Sequence, residues 1–564
     1  MIEITSFYWP PGLFLLLTGF ALTLINGRLR QALMLLAPLV TLWWIWQIPD
    51  GANAGVNFLA YELSPVDGSP LRRLFGASLA LMTLFSALFV LNQATRAELL
   101  GAFGCAAAAI NACFAGDLVS LFVFWQLLLV FSTLLIWSGD CENSRAAGLR
   151  YALMHLMAGL ALKIGIEGLK TQTGDISVTA LPLDNLYSAL LLAGVLTHAA
   201  AAPLSVWLAD AYPRATPGST VFLSLYGTKT AVLMLILLFP GAEVLVWLGL
   251  YMMLHGVVYG LLNTDIRRLL AYTQVAQLGM IIMAVGIGTA LALDAAAAHA
   301  LVHLLAQALL FMTAATIIHS TGHNDLQRLG ALAGRMPVTA ACAVIGALTL
   351  IGLPLTAGFL SLSGLDAATR EHDIILVRIL LLVGVAGLGW LVFRYLWQVF
   401  LAPVKEGAGG HVPATAPQNL AMVVLAAACI LTALLPGVLP GPSARAFGTS
   451  DLLLWLAIPI VVGGLYWQFG RRQPTLFQGE PWDYDWFWRR LAFGLGQAGV
   501  QWLARLRDQI AWLLRRFTLR ALRVGRRHGG RTGVLARAWA IGTSVFWVMT
   551  LLTAYLIAYY LIPT

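Results

Sequence analysis

The sequence is poor in charge. Only 10% of its 564 residues are Asp, Glu, Lys or Arg, where a soluble globular protein carries about a quarter. Lysine is scarcest: Lys163, Lys170, Lys229 and Lys405 are the whole set. With 60% of the residues hydrophobic, a water-soluble chain of this length could not hide its apolar surface. Cysteine is also sparse. Cys105, Cys113, Cys141, Cys342 and Cys429 are scattered, and none forms a CxxC pair. Four of the five sit inside apolar runs and read as small packing residues, so no redox compartment follows from them. There is no glycine-rich nucleotide loop, no Ser-His-Asp pattern and no set of haem or cluster ligands. No cofactor or metal is expected, and any redox chemistry would belong to partner subunits. The first apolar run is preceded by Glu3 and by no basic residue, unlike a secretory signal, and is read as a retained span.

What the chain has in abundance is apolar runs, most of 18 residues or more. Each is long enough to cross about 30 Å of hydrocarbon as a helix. They do not alternate as barrel strands do, and a helix satisfies its own backbone in lipid. The runs predict an all-α polytopic membrane protein with about sixteen spans, near 11–26, 31–48, 74–93, 97–116, 118–138, 149–168, 186–208, 218–238, 242–262, 267–287, 293–318, 337–365, 374–400, 418–438, 451–469 and 539–562. Every second connection is basic: Arg28 and Arg30, Arg96, Arg145 and Arg150, Arg214, Arg267 and Arg268, Arg328 and Arg335, Lys405, Arg471 and Arg472. The others hold fewer basic residues: Arg72 and Arg73, Lys170, Arg370 and Arg445. Cytoplasmic loops collect Lys and Arg, which places both termini on the non-cytoplasmic side of a cell (inner) membrane.

Two spans carry breaks. One has Pro203 inside THAAAAPLSVWLADAYPRATPGS; the other has Gly352 and Pro354 inside ALTLIGLPLTAGFLSLSG. Proline removes a helix hydrogen bond and clashes with the preceding turn. Broken helices in corresponding places of two halves often mark an ion or substrate site. Each break lies in the fourth span of a five-span block, which suggests an internal repeat. The resulting division is 1–96 (N-terminal spans), 97–238 and 242–400 (the two blocks), 401–470 (additional spans), 471–537 (a basic segment) and 538–564 (the final span). The net charge of +9 comes from the basic segment, where fourteen arginines between Arg471 and Arg537 face Glu480, Asp483, Asp485 and Asp508. Within 482–530, Leu503, Leu506, Ile510, Leu513 and Phe517 recur at helical steps, with Arg505, Arg507, Arg516, Arg520 and Arg523 mainly on other faces. This reads as an amphipathic surface helix drawn to anionic lipids, or a clamp across neighbouring subunits, rather than a nucleic-acid site.

An ionisable group deep in a span costs several kcal/mol and is a site candidate by default. Lys229, in LSLYGTKTAVLMLI, stands out. His198 lies just over one turn before Pro203. His299 and His303 are four apart on one helix face, suited to a hydrated proton wire. Their structural alternatives are a snorkelling lysine and hydrogen-bonded packing histidines. Lys163 and Glu167, also four apart, are placed to pair with each other. Asp117 opens its span as a cap or an interfacial charge.

The strings DLVSLFVFWQLLLVFSTLLI, HAAAAPLSVWLADAYPRATP, TDIRRLLAYTQVAQLGM, AAAAHALVHLLAQALLFM and GLPLTAGFLS, in this order over roughly residues 90–400, resemble the antiporter-like membrane subunits of Mrp-type cation/proton antiporters and respiratory complex I, closest to the Mrp D-type subunit. The resemblance implies two inverted five-helix repeats with broken seventh and twelfth helices. It also implies a proton line of lysines, histidines and a glutamate across the membrane middle. Position by position, the family's glutamate in FVFWE is Gln126 here, its seventh-helix lysine is His198, and its eighth-helix lysine is retained as Lys229. His299 and His303 are retained, the lysine four residues on is Gln307, and the twelfth-helix lysine or glutamate is Leu362. Ala209 replaces the proline of WLPDA. The resemblance thus implies a D-like subunit of a Na+/proton antiporter with a His/Lys relay. The rival readings are a transport-impaired scaffold in such an assembly, a proton-translocating subunit of a redox-driven NADH:quinone-type complex, and a membrane enzyme acting on lipid-linked substrates. Its partners would be other membrane subunits, protons and Na+.

Overall fold

A computed structural model describes residues 8–561 apart from 53–54, 59–60, 140–141, 373, 404–411, 436, 438, 441–447, 473–492, 530–532 and 534–540. Lys405, Cys141, Arg445, Glu480, Asp483 and Asp485 lie outside the described residues, as do 482–492 and 530 of the expected amphipathic segment.

The chain divides into two units, 1–486 and 487–564. The first is helical almost throughout. It opens with α1 (Leu13–Leu24), α2 (Gly27–Gln47) and α3 (Pro70–Phe89). Between α2 and α3 lie two short antiparallel pairs, β1 (Gly51–Ala52) with β4 (Asp67–Gly68) and β2 (Val56–Phe58) with β3 (Tyr61–Leu63). Then come α4 (Arg96–Phe114), α5 (Leu118–Trp137), α6 (Glu142–Thr173), α7 (Leu186–His198), α8 (Val206–Ala211), α9 (Pro217–Leu223) and α10 (Gly227–Leu238). They are followed by α11 (Val244–Leu262), α12 (Ile266–Ile287), α13 (Ala290–Thr321), α14 (Pro337–Leu350), α15 (Ala357–Arg370), α16 (Ile375–Leu396), α17 (Ala416–Leu434) and α18 (Thr449–Gln468). The second unit holds α19 (Phe493–Gly529) and α20 (Ile541–Leu561). Among the described residues, thirteen helical stretches are long and apolar enough to cross a membrane, and α1, α7 and α14 are shorter apolar helices. Each of the sixteen expected spans finds its helix.

The two expected breaks are present. Span 186–208 is α7 and α8, separated around Pro203; span 337–365 is α14 and α15, separated around Gly352 and Pro354. Gly352 has φ +74°, and a Cβ there would meet Leu362 at 2.8 Å and Trp455 at 3.0 Å, so this turn needs glycine. A third break, between α9 and α10, was not expected. Ser224–Tyr226 form a turn in the middle of span 218–238, with no proline to signal it.

The blocks α4–α10 and α11–α16 repeat one another. Asp117 caps α5 and bridges to Ser177; Asp265 and Asp325, 148 positions later in both cases, make the same bridge at the start of α12. The flanking bonds match too, Leu118 N to Ile176 O (2.8 Å) and Ile266 N to Asn324 O (2.9 Å). α6 and α13 are each 32 residues long. Five crossings are an odd number, so the second block starts from the opposite face and runs inverted. As expected, Asp117 is a cap: its carboxylate accepts from Ser120 N (2.7 Å), Ser120 Oγ (2.6 Å) and Ser64 N (2.8 Å).

α12 and α13 are almost wholly buried, whereas α2 and α18 are mostly exposed on their sides, as lipid-facing helices are. α11 meets α12 closely through glycines: a Cβ on Gly249 would come within 2.4 Å of the Gly279 carbonyl, and one on Gly256 within 2.5 Å of the Tyr272 carbonyl. Small residues let membrane helices approach. Gly249→Val is therefore expected to destabilise the protein by about 1–3 kcal/mol, read as a lower melting temperature in detergent, while the same change at Gly464, where nothing lies within 4 Å, leaves it unchanged.

Candidate functional site

Polar side chains gather where the helices break. Lys229, at the end of the first block, is the third residue of α10, just past the unexpected turn, and is 1% exposed. Its Nζ donates to Thr228 Oγ1 (3.4 Å), and no carboxylate lies within 4 Å of it among the described residues. Thr228 Oγ1 also accepts from Gln274 Nε2 of α12 (3.0 Å), which reaches the Ser224 carbonyl freed by the turn (3.4 Å). The ammonium is within electrostatic reach of His299 and His303 on α13.

His299 is held at both nitrogens. Nε2 lies 2.7 Å from Gln277 Oε1, and the Gln277 amide donates to the Leu350 carbonyl (2.9 Å) at the end of α14. Gln277 Oε1 can only accept, so the neutral ring carries its hydrogen on Nε2. Nδ1 then accepts from Ser361 Oγ on α15 (3.0 Å). When the ring gains a proton, Nδ1–H donates to Ser361 instead, whose hydrogen has the Gly358 carbonyl at 3.2 Å to turn to. Gln277 on α12 with Ser361 and the Gly358 carbonyl on α15 thus accommodate both protonation states. His303, one turn on and parallel to His299 with centroids 6.5 Å apart, has neither ring nitrogen in hydrogen-bond geometry with a protein partner; the same holds for Gln274 Oε1 and Gln307 Oε1. Gln307 Nε2 donates to the Leu270 carbonyl (2.8 Å). Buried polar atoms without partners are costly, and here they cluster beside a buried lysine.

In the first block, His198 is the last residue of α7, buried and stacked on Trp125 with centroids 4.3 Å apart and 13° between planes. The Trp125 indole N–H donates to Thr230 Oγ1 (3.1 Å), next to Lys229, so Trp125 separates His198 from the lysine. A second histidine, His155 of α6, packs edge-on against His198 at 4.9 Å; sequence reasoning missed it. Gln126 is half-buried against α6, where a Cβ on Gly159 would meet its Nε2 at 2.2 Å. Leu362 is fully buried on α15 among Gly352 and Trp455 of α18, an apolar plug with no protonatable atom. Lys163 and Glu167 pair as expected, joined by Tyr61, whose hydroxyl accepts from Lys163 Nζ (2.9 Å).

Residues 115–386 match the family model described as NADH:quinone oxidoreductase/Mrp antiporter, transmembrane. Over that stretch, just under half of its length, the chain resembles this family. It is 33% identical over 264 residues to a Rhizobium meliloti protein named as part of a probable K(+)/H(+) antiporter; the match covers 44% of this chain and 26% of that relative's length. By structure it resembles a chain of the Mrp complex from Dietzia sp. DQ12-45-1b, with TM-score 0.65, 22% identity and coverage of 83% and 99%. It also resembles a chain of the membrane-bound sulfane sulfur reductase, an archaeal respiratory membrane complex, with TM-score 0.70, 23% identity and coverage of 97% and 99%. These structural likenesses carry the fold. The spans make this a multi-span membrane protein, and the match over 115–386 makes it similar to antiporter and complex I membrane subunits, relatives that are subunits of larger assemblies.

Within that fold the missing charges at Gln126 and Leu362 have a counterpart that the sequence reading did not single out. Asp366, one turn beyond Leu362 on α15, is fully buried. Its carboxylate accepts from Arg378 Nε (2.7 Å) on α16 and from Arg370 Nη2 (2.6 Å), and Arg370 also donates to Asp451 on α18 (2.6 Å). The cluster ties α15 to two neighbours. Asp366→Asn leaves Arg370 with Asp451 and removes the carboxylate from Arg378; because both arginines are partly exposed, the expected loss is about 2 kcal/mol, measurable by melting of the purified protein.

Proposed function

We propose that this chain is a D-like subunit of a multisubunit monovalent cation (Na+)/proton antiporter of the inner membrane, carrying protons through a His/Lys relay in the membrane middle. The observation that supports this best is the buried Lys229 without a carboxylate partner, beside His303 and two glutamine oxygens that lack protein partners. A buried ammonium in apolar surroundings gives up its proton more readily than one in water, and an imidazole can take it and pass it on. Proton release from Nζ and uptake at a ring of His303 or His299 moves the charge from α10 to α13. Ser361 and Gln277 then hold His299 in either protonation state. Loss of both Gln126 and Leu362 as charges leaves the relay to His198, Lys229, His299 and His303, with partner membrane subunits supplying whatever charge flanks it. The relative named for a K(+)/H(+) antiporter supports the coupling to a monovalent cation. Basic connections on alternate sides support termini outside the cytoplasm, and the arginines of α19 support contact with anionic lipids.

A second reading has its own observation. Leu362 and Trp455 fill the end of the α14–α15 path with apolar atoms, which favours a scaffold that has lost transport. The likeness to a respiratory complex supports a redox-driven assembly as the setting for either reading.

The test is pH-gradient-driven cation flux in liposomes containing the purified complex. Lys229→Ala and His303→Ala are each expected to lower flux on the order of a hundredfold; wild-type flux in both variants overturns the relay. Removing the chain from the assembly addresses the scaffold, which predicts loss of assembly, whereas a complex that assembles and transports normally without it contradicts both readings.

A further inference from the structure

His155 occupies on α6 the place that His303 occupies on α13, since 148 positions separate them, as they separate the paired β-bridges. Each repeat therefore carries a buried histidine at the same place in its 32-residue helix, and in the first repeat that histidine meets the end of α7. We propose that His155 and His198 together form a two-imidazole site that holds one proton in the first repeat. This rests on the relay reading above and extends it to a residue that reading does not use.

The geometry fixes where the proton goes. His198 Nδ1 lies 3.0 Å from the Gly194 carbonyl and His155 Nδ1 lies 3.1 Å from the Tyr151 carbonyl. A carbonyl only accepts, so each neutral ring carries its hydrogen on Nδ1 and keeps the lone pair of Nε2 for a further proton. The surrounding aromatics leave those lone pairs alone. The Trp125 N–H is committed to Thr230 Oγ1 and the Trp207 N–H to the Thr197 carbonyl (3.0 Å). They contribute ring faces and edges instead: Trp125 stacks on His198, Tyr151 stacks on His155 at 4.0 Å, and Trp207 meets His155 edge-on at 4.8 Å. Aromatic faces favour a cationic imidazole over them. With centroids 4.9 Å apart, a charge on one ring opposes a charge on the other, so the pair takes one proton in one step and resists a second.

The charged groups on the elements packed around the pair include Arg150 with Asp210, a two-point ion pair between α6 and α8 (2.7 and 2.9 Å), Lys163 with Glu167 further along α6, and Lys229 on α10 beyond Trp125; Arg145 and Lys170 lie toward the ends of α6, and Arg214 ends the turn after α8. The first two sets are paired internally. Lys229 has no carboxylate within 4 Å among the described residues, and it faces the site through Trp125 and Thr230. In the transfer, one Nε2–H bond breaks and the other forms; both Nδ1–H bonds to the carbonyls persist, and no other reactant is needed.

The test uses the intact complex in membranes with its histidines labelled with nitrogen-15. Solid-state NMR should show His155 and His198 sharing the uptake of a single proton, with a second entering only at clearly lower pH. His155→Phe, which keeps an aromatic ring in the box, should convert His198 to an isolated titration. In flux assays His155→Phe and His198→Phe should each lower proton transport about tenfold or more, and the double variant should be no worse than either, as for residues acting as a unit. The proposal is overturned if His155 stays neutral through the range in which His198 takes its proton. It is also overturned if His155→Phe transports as wild type while Lys229→Ala does not, a result that leaves the relay reading standing. If Lys229→Ala transports normally as well, the relay reading falls, and the NMR titration still decides whether the pair holds its proton.

Discussion

A polar group carried into hydrocarbon has to be answered by protein, and the interior of this chain is arranged around that constraint. Most of its backbone answers itself inside helices. Where three spans are interrupted, carbonyls are released, and a side chain comes to each. Trp207 takes the Thr197 carbonyl near the α7–α8 break, Gln274 the Ser224 carbonyl between α9 and α10, and Gln277 the Leu350 carbonyl at the α14–α15 break. The last two stand three apart on α12, the most buried of the central helices, so one helix serves two breaks. Breaks and polar residues are therefore one feature: the interruption creates the demand, and the residues that meet it line the interior.

The same constraint explains the distribution of charge. A lone buried cation is expensive, while a charge removed together with its partner costs little. The first repeat has neutral groups at both Gln126 and His198, the positions where the family resemblance puts an acid and a lysine, so neither of these two positions adds an orphan charge. At α15 an acid stands one turn beyond Leu362, as Asp366, where Arg370 and Arg378 neutralise it and Asp451 shares Arg370. What survives uncompensated is Lys229, together with ring nitrogens and amide oxygens that have no protein partner. An uncompensated group in the middle of a bundle is the residue of a functional demand, because packing alone would have removed it.

Much of this architecture was legible from the sequence. Apolar run length gives all sixteen spans, because hydrocarbon thickness sets helix length directly. Pro203, Gly352 and Pro354 mark two breaks because proline and glycine act on local backbone geometry. The α9–α10 break carries only Gly227 after the turn; Ser224–Tyr226 turn where Gln274, brought there by tertiary packing, answers the Ser224 carbonyl. Asp117 and the Lys163–Glu167 pair were readable since both depend on neighbours one turn away. The partners of His299 were not, because Gln277 and Ser361 lie 22 and 62 residues off. His155 looked like one more histidine in an apolar run, although the 148-residue register of the repeat, applied to His303, points straight at it. Asp366 was hidden for a similar reason, as Arg378 reaches it from another helix and Asp451 shares Arg370 from a third.

The central claim is that the partnerless polar atoms around Lys229 belong to a proton path rather than to a packing defect, and a path through such atoms has to be wetted. The most direct measurement is a high-resolution electron cryomicroscopy map of the assembled complex in lipid. Ordered water joining Lys229 Nζ, Gln274 Oε1, Gln307 Oε1 and the ring of His303 is the predicted result. A dry, tightly closed interior at these four groups, in a map that resolves water elsewhere in the protein, would contradict the account.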